Sequence, residues 1–239
     1  MSAAAPPCGR RFSPRGKWLQ VAPADVQEQL RRAFARWGLP ATFRVDNGGP
    51  WGSAGDLPPD LALWLLGLGI ALHWNDPHRP QQNGVVERSQ GTGKRWAEPD
   101  HCDTPEELQR RLQEMDVVQR EDYPSIDGQS RAAAFPGLAH SGRRYRRAWE
   151  RRHWDQQRVL DHLAGYVVPR RVDKNGDVSL YHRPHYVGCM HRGKDIYVMV
   201  DPHRAEWLFV DAQGQQLRNQ AALELATERI CSLTVTNRR

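Results

Sequence analysis

Ala41-Thr42-Phe43-Arg44-Val45-Asp46-Asn47-Gly48-Gly49 is the stretch that decides the fold. A short, largely apolar run from Ala41 to Val45 ends in a carboxylate, and Asn-Gly-Gly follows at once as a sharp turn signal. Asp46 is therefore expected at the mouth of a strand. After 40 intervening residues and a Pro-rich turn comes Glu87, on a stretch from Gln82 to Trp96 that reads as a helix beginning near Asn83. Lys94 follows Glu87 by 7 positions, which places both on one helix face. A strand-end Asp, a helical Glu and a nearby cation describe a site for a hard divalent metal close to a phosphate.

Working outward, the upstream elements support an α/β class. Residues 1 to 16 carry no periodicity and read as a loose lead-in; Lys17 to Val21 suits a short edge strand. Asp25 to Trp37 is an amphipathic helix with Val26, Leu30, Phe34 and Trp37 on one stripe, and Gly38 with Pro40 stops it. Asp25 and Glu28 have capping-box spacing, so Asp25 reads as an N-cap rather than a ligand. Downstream, Asp60 to Leu68 is apolar on most sides and reads as a buried helix, Ile70 to Trp74 as a strand, and Asn75 to Gln82 as a loop carrying Arg79, Gln81 and Gln82. Gly84, Gly91 and Gly93 weaken the Glu87 helix by about 1 kcal/mol each, so it is expected to end near Gly91. Thr104 to Arg120 is a well-signalled helix: Thr104 caps it, Pro105 opens it, Glu107 completes a capping box, and Leu108, Leu112 and Met115 form its stripe. Residues 121 to 142 read as loop and mark a boundary.

The 239 residues, 39% hydrophobic, suffice for a moderate domain and a small one. A net charge of +6 suggests a polyanionic partner, and its location sharpens that reading. From Arg143 to Trp154 six arginines, Arg143, Arg144, Arg146, Arg147, Arg151 and Arg152, stand against Glu150 alone, leaving +5. Tyr145, Trp149 and Trp154 are interleaved with them. The pattern suits phosphate contacts with stacking. It equally suits an amphipathic linker in which Tyr145, Trp149 and His153 share a buried stripe and the arginines are solvated; both readings can hold together. Cys8, Cys102, Cys189 and Cys231 match neither a disulfide framework nor a C-x-x-C zinc pattern, which fits a reducing compartment. No apolar run is long enough to span a bilayer and no signal peptide is recognisable, so a soluble, cytoplasmic and nucleoid-associated protein is expected.

Beyond residue 163 the period switches to that of strands. Tyr166 to Val172, Val178 to Tyr181, Ile196 to Val200 and Glu206 to Asp211 are β-branched or aromatic runs, with Asn175-Gly176 and Gln213-Gly214 marking hairpins. A small antiparallel barrel is the expected product. His182, His185, Cys189 and His191 fit no standard zinc spacing and read as strand or surface residues.

Five motifs in order carry a resemblance: Trp37-Gly38-Leu39-Pro40, Asp46-Asn47-Gly48, Leu68-Gly69-Ile70, Pro80-x-x-Asn83-Gly84-Val85-Val86-Glu87, and Lys94. Over residues 17 to 124 the chain resembles the catalytic core of DDE transposases and retroviral-type integrases, with a weaker echo of bacterial insertion-sequence transposases beyond. That resemblance implies a partial ribonuclease H-like core over residues 1–124, a basic linker and helix over 125–163, and an SH3-like barrel over 164–239. It also implies metal-dependent DNA strand transfer, with Asp46 and Glu87 as Mg²⁺ or Mn²⁺ ligands and Lys94 near a DNA phosphate. In that family an earlier Asp completes the ligand set. With Asp25 read as a cap, the expectation is an N-terminally truncated copy, inactive unless an upstream polypeptide or a second copy supplies the missing strands. A non-catalytic DNA-binding remnant is the alternative, and an α/β fragment without a nucleic-acid role is the third reading.

Overall fold

The computed structural model describes residues 11–12, 18–19, 22–52, 56–76 and 84–233. Two-residue strands Arg11–Phe12 (β1) and Trp18–Leu19 (β2) pair antiparallel at the start. Helix α1 then spans Pro23–Trp37. It starts earlier than the capping-box spacing suggests, because Pro23 presets the helical φ at the first position. Ala22 is the N-cap, its carbonyl accepting from the amides of Asp25 and Val26. Asp25 thus lies in the first turn, where the helix dipole favours an acid, and the capping box does not form. Glu28 turns instead toward Arg147. Val26, Leu30 and Phe34 are buried as their spacing requires, and Gln27 and Arg31 are buried beside them.

Strands Thr42–Val45 (β3) and Ala71–Trp74 (β4) pair in parallel, joined by helix α2, Asp60–Gly67. Seven of eight α2 residues, Leu61 to Gly67, are buried, so α2 is the hub on which α1, β4 and the later helices Gln156–Leu163 (α7) and Thr227–Ile230 (α8) pack. Close approach is built in at Gly67, where a Cβ would lie 2.2 Å from the Trp154 indole.

Helix α3 runs Gly84–Ala97 and α4 runs Pro105–Val117. The glycines do not end α3. Gly93 is buried where a Cβ would meet Met115 of α4, so helix packing carries α3 past its weak propensity. Thr104 caps α4 by accepting from Glu107 N–H at 3.1 Å, and the Glu107 carboxylate accepts from Asp103 N–H at 3.2 Å. A π-helical turn, Val118–Asp122, follows α4, and short helices Arg131–Ala134 (α5) and Glu150–His153 (α6) lie beyond it.

The C-terminal strands are Val168–Arg171 (β5), Asp177–Leu180 (β6), Arg183–Tyr186 (β7), Asp195–Asp201 (β8), Glu206–Val210 (β9) and Gln216–Ala221 (β10). They form an antiparallel sheet of order β10-β9-β8-β5 and a separate β6-β7 hairpin. The expected closed barrel is therefore corrected: among the described residues no backbone ladder joins hairpin to sheet. Side chains make that connection, since Gln220 donates to the Tyr186 carbonyl at 2.8 Å and faces His185 Nδ1 at 3.1 Å. Pro184 in β7 has no amide to donate to a further ladder, and β10 bulges between Gln216 and Arg218. Gln213-Gly214 does turn β9 into β10. Asn175-Gly176 also turns, with Asp173 accepting from the amides of Asn175 and Asp177, yet β5 pairs with β8, so that turn closes no hairpin.

One hydrophobic core runs through the molecule, from Val26 to Leu72 and again from Tyr145 to Cys231. No described residue of α3 or α4 belongs to it. Among the described residues no helix is long and apolar enough to cross a membrane.

Candidate nucleic-acid interface

The segment from Arg143 to Trp154 is not a continuous helix: an extended lead is followed by a 3-10 turn, Arg147–Trp149, and then α6. Four of its twelve side chains, Arg143, Tyr145, Glu150 and Trp154, anchor it. Arg143 reaches the Pro40 carbonyl at 2.7 Å and the Leu68 carbonyl at 3.1 Å, satisfying backbone acceptors beside β3 and at the end of α2. Its own carbonyl accepts from Leu39 N–H, an approach that needs Gly38 at φ +78° because a Cβ there would lie 2.7 Å from it. Trp154 is buried and donates to the Trp64 carbonyl at 3.1 Å.

The centre of the segment is a buried charge network. Arg31 Nε donates to Glu150 Oε2 at 2.9 Å, and Arg31 Nη2 donates to Glu150 Oε1 and to the Cys231 carbonyl at 2.7 Å. Tyr145 donates its phenol proton to the same Glu150 carboxylate. Burial works against the Arg31 charge, but the hydrogen bond and charge of Glu150 outweigh it and raise the guanidinium's pKa. Burial, then Glu150, raises the Tyr145 phenol, and burial pushes the Cys231 thiol up to about 12. Tyr145 and Trp154 are thus core residues and offer no stacking surface. Trp149 alone of the three aromatics is exposed, with the Arg146 guanidinium 4.7 Å over its ring and His153 5.8 Å away.

What remains outward is cationic. Arg144, Arg146 and Arg152 are exposed, and no acidic partner is seen for them among the described residues. Arg147 is held by Glu28, whose two oxygens each lie 2.7 Å from Nη1, and Arg151 donates to Ser232 Oγ at 2.7 Å. The six arginines thus divide into one structural tie, two with polar side-chain partners and three with no acidic partner among the described residues. Sequence spacing missed the network because its partners lie 119 and 200 residues away. The one legible hint was Glu150, the sole acid in the run.

The expected metal ligands lie on the elements their sequence context implies, Asp46 at the end of a strand and Glu87 with Lys94 on a helix. Asp46 is exposed directly after β3, its flank fixed by Asn47 Nδ2 donating to the Asn75 carbonyl at 2.7 Å and by Asn75 N–H donating to Val45 O at 2.9 Å. Glu87 and Lys94 are both exposed on α3, whose described packing partner is α4 rather than the core. A 3.9 Å ion pair between exposed Arg36 and Asp116 links α4 to α1. Asp46 therefore stands on the core and Glu87 on a helical pair beside it. Arg79, Gln81, Gln82, Pro80 and Asn83 lie outside the described residues, as does Cys8. Among the described residues no three His, Cys, Asp or Glu side chains converge as a metal site, and His185 is buried against Glu224 rather than beside Cys189.

No family model matches the chain. A chain of the cryo-EM structure of the simian T-cell lymphotropic virus intasome in complex with PP2A regulatory subunit B56 gamma is similar at 13% identity and a TM-score of 0.39, over 86% of this chain and 66% of that one. This chain thus spans just under two thirds of the length of that neighbour.

Proposed function

We propose that this is a DNA-binding protein of the integrase and transposase kind, acting in DNA integration or transposition and not cutting DNA by itself. The observation that carries the reading is the division of labour in Arg143 to Trp154. Anchors to Pro40, Leu68, Arg31 and Trp64 hold the backbone still, while Arg144, Arg146 and Arg152 project without an acidic partner among the described residues, Arg146 over the ring of the exposed Trp149. Arginines without an acidic partner on a fixed support suit phosphate contacts, because little ordering entropy is lost when they engage. The ordered motifs around Asp46 and Glu87 supply the integrase and transposase part.

The carboxylates do not fit a two-metal centre. A hard divalent ion requires several oxygen ligands in fixed geometry, and strand transfer in this class requires a pair of ions. Asp46 and Glu87 are two donors on supports that share no core residue. Each can offer an oxygen to Mg²⁺ or Mn²⁺.

The test is duplex binding across a salt series together with nicking and strand transfer in Mg²⁺ and Mn²⁺. Binding that weakens steeply with salt, without cleavage, is the expected result. Salt-insensitive or absent binding refutes the reading, and strand transfer abolished by Asp46→Asn refutes its non-catalytic half.

A further inference from the structure

Where α6 meets the C-terminal end of the described chain there is an open cleft of about 300 Å³. Its wall residues include Arg31, Arg147, Glu150, Arg151 and Ser232. Its floor is neutral, because Arg31 and Glu150 satisfy one another there with side chains 10% and 3% exposed. Its rim is not. Arg147 and Arg151 stand four residues apart across the 3-10 turn and α6, and the Ser232 hydroxyl, which accepts from Arg151, still has a proton to donate.

We propose that this cleft is an oxyanion seat that takes one backbone phosphate of bound DNA between Arg147, Arg151 and Ser232. The inference rests on the DNA-binding reading above and gives it a contact with a fixed address. Glu28 is the built-in competitor. It occupies Arg147 through two 2.7 Å contacts, but the Arg147 side chain is 65% exposed and an exposed pair of this kind is weak. A phosphate entering the cleft draws Arg147 away from Glu28 while the buried Arg31–Glu150 pair stays intact, so the floor does not rearrange. Among the described residues Arg151 has no acid to leave. Its hydroxyl partner joins the ligand shell instead.

The experiment compares wild type with Glu28→Gln, the double variant Arg147→Ala/Arg151→Ala, and a control on β5, Arg171→Ala, that removes one positive charge where the double variant removes two. Each is titrated with duplex DNA over a salt series and with inorganic phosphate against chloride at equal ionic strength; circular dichroism verifies folding. The double variant should lose about tenfold or more in duplex affinity and about 1 in the slope of log affinity against log salt, with Arg171→Ala much less affected. Glu28→Gln should bind duplex and phosphate about two- to fivefold more tightly, a gain that misfolding cannot mimic. Phosphate should raise the melting temperature of wild type and not of the double variant. A double variant that binds duplex like the control, or a Glu28→Gln protein that binds no better than wild type, overturns the seat and leaves the DNA-binding reading standing. If wild type binds no duplex but phosphate still stabilises it through Arg147 and Arg151, DNA is overturned as the occupant and free phosphate is the source.

Discussion

Replacing Glu150 by Gln removes one charge from the buried network and leaves its shape nearly unchanged. In the native protein the Glu150 carboxylate accepts from Arg31 Nε at 2.9 Å, from Arg31 Nη2 and from the Tyr145 phenol, all with the Glu150 side chain 3% exposed. An amide there can satisfy one of these donors and turns its own N–H₂ toward another. Breaking a buried pair from one side costs about 3–5 kcal/mol, because the remaining charge stays buried without its partner. Arg31 keeps the Cys231 carbonyl at 2.7 Å, Glu28 at 3.5 Å and the Trp64 ring at 5.5 Å, which places the loss at the lower end, about 3 kcal/mol. For a chain of this size that corresponds to a fall in Tm of about 6–12 °C. Thermal and urea unfolding followed by circular dichroism measure it. The double variant Arg31→Met/Glu150→Leu should recover much of the loss, because apolar groups of similar volume replace a buried pair at small net cost. A Glu150→Gln protein within about 1 kcal/mol of wild type, or a double variant as unstable as the two single losses added together, refutes the claim that this pair holds the basic segment in place.

Glu224 gives a pH-dependent test. Burial opposes its ionisation, but His185, with Nε2 3.3 Å from the carboxylate, and the hydrogen bond from Trp207 at 3.0 Å outweigh burial and hold its carboxyl at about 2, below its ordinary 4.5. A depressed folded-state value contributes stability that is complete above about pH 4.5 and is lost as pH falls toward 2, a contribution of about 3 kcal/mol. Glu224→Gln should therefore show that deficit in urea unfolding at pH 7 and almost none near pH 2; a deficit constant with pH would count against the reasoning. Gly67→Ala should cost about 1–3 kcal/mol, since its Cβ would lie 2.2 Å from Trp154, whereas Gly91→Ala, with open space around it, should be neutral or stabilising in the same melts. In a Cys8→Ser background, Cys189, exposed and lowered in pKa by Tyr186 and then Arg192, should react first with a thiol reagent at pH 7, and Cys231 only on unfolding; a fast phase that survives Cys189→Ser would refute this. Amides of α3 and α4 should exchange with solvent through openings of lower free energy than those of α2, and equal protection would show the pair to be part of the core.

Local signals in the sequence were faithful wherever the partner was near. Thr104, Pro105 and Glu107 place the start of α4, and the apolar run through Leu61 to Leu66 announces a helix buried on most sides. The signals failed where tertiary partners decide. Met115, more than twenty residues away in sequence, lets α3 pass through Gly93, and β8 takes β5 from the hairpin that Asn175-Gly176 signals. β7 and β10 were not legible because Arg183-Pro184-His185-Tyr186 and Gln216 to Ala221 are mostly polar edge sequences, held by side-chain bonds such as Gln220 to Tyr186. Within Arg143 to Trp154 the type of residue was legible and its task was not. Arg143 and Arg144 are adjacent and identical, yet one is tied to two carbonyls of the first half of the chain and the other is exposed.

That division bears on how far the carboxylates can be asked to act. A site that ligates a metal must be held within about half an ångström, which requires rigid support on every side. Here the rigid support carries Asp46 and the arginines: β3 lies in the core, and the arginine segment is bonded to Pro40, Leu68, Arg31 and Trp64. Glu87 rides on α3, which packs against α4 rather than the core, and the Arg36–Asp116 pair at 3.9 Å between exposed side chains contributes less than about 1 kcal/mol to holding α4 against α1. Within this chain the described contacts therefore fix Asp46 more firmly than Glu87. As proposed, DNA binding rests on the arginine segment, whose anchors lie in that rigid support, and does not depend on the two carboxylates acting as a pair.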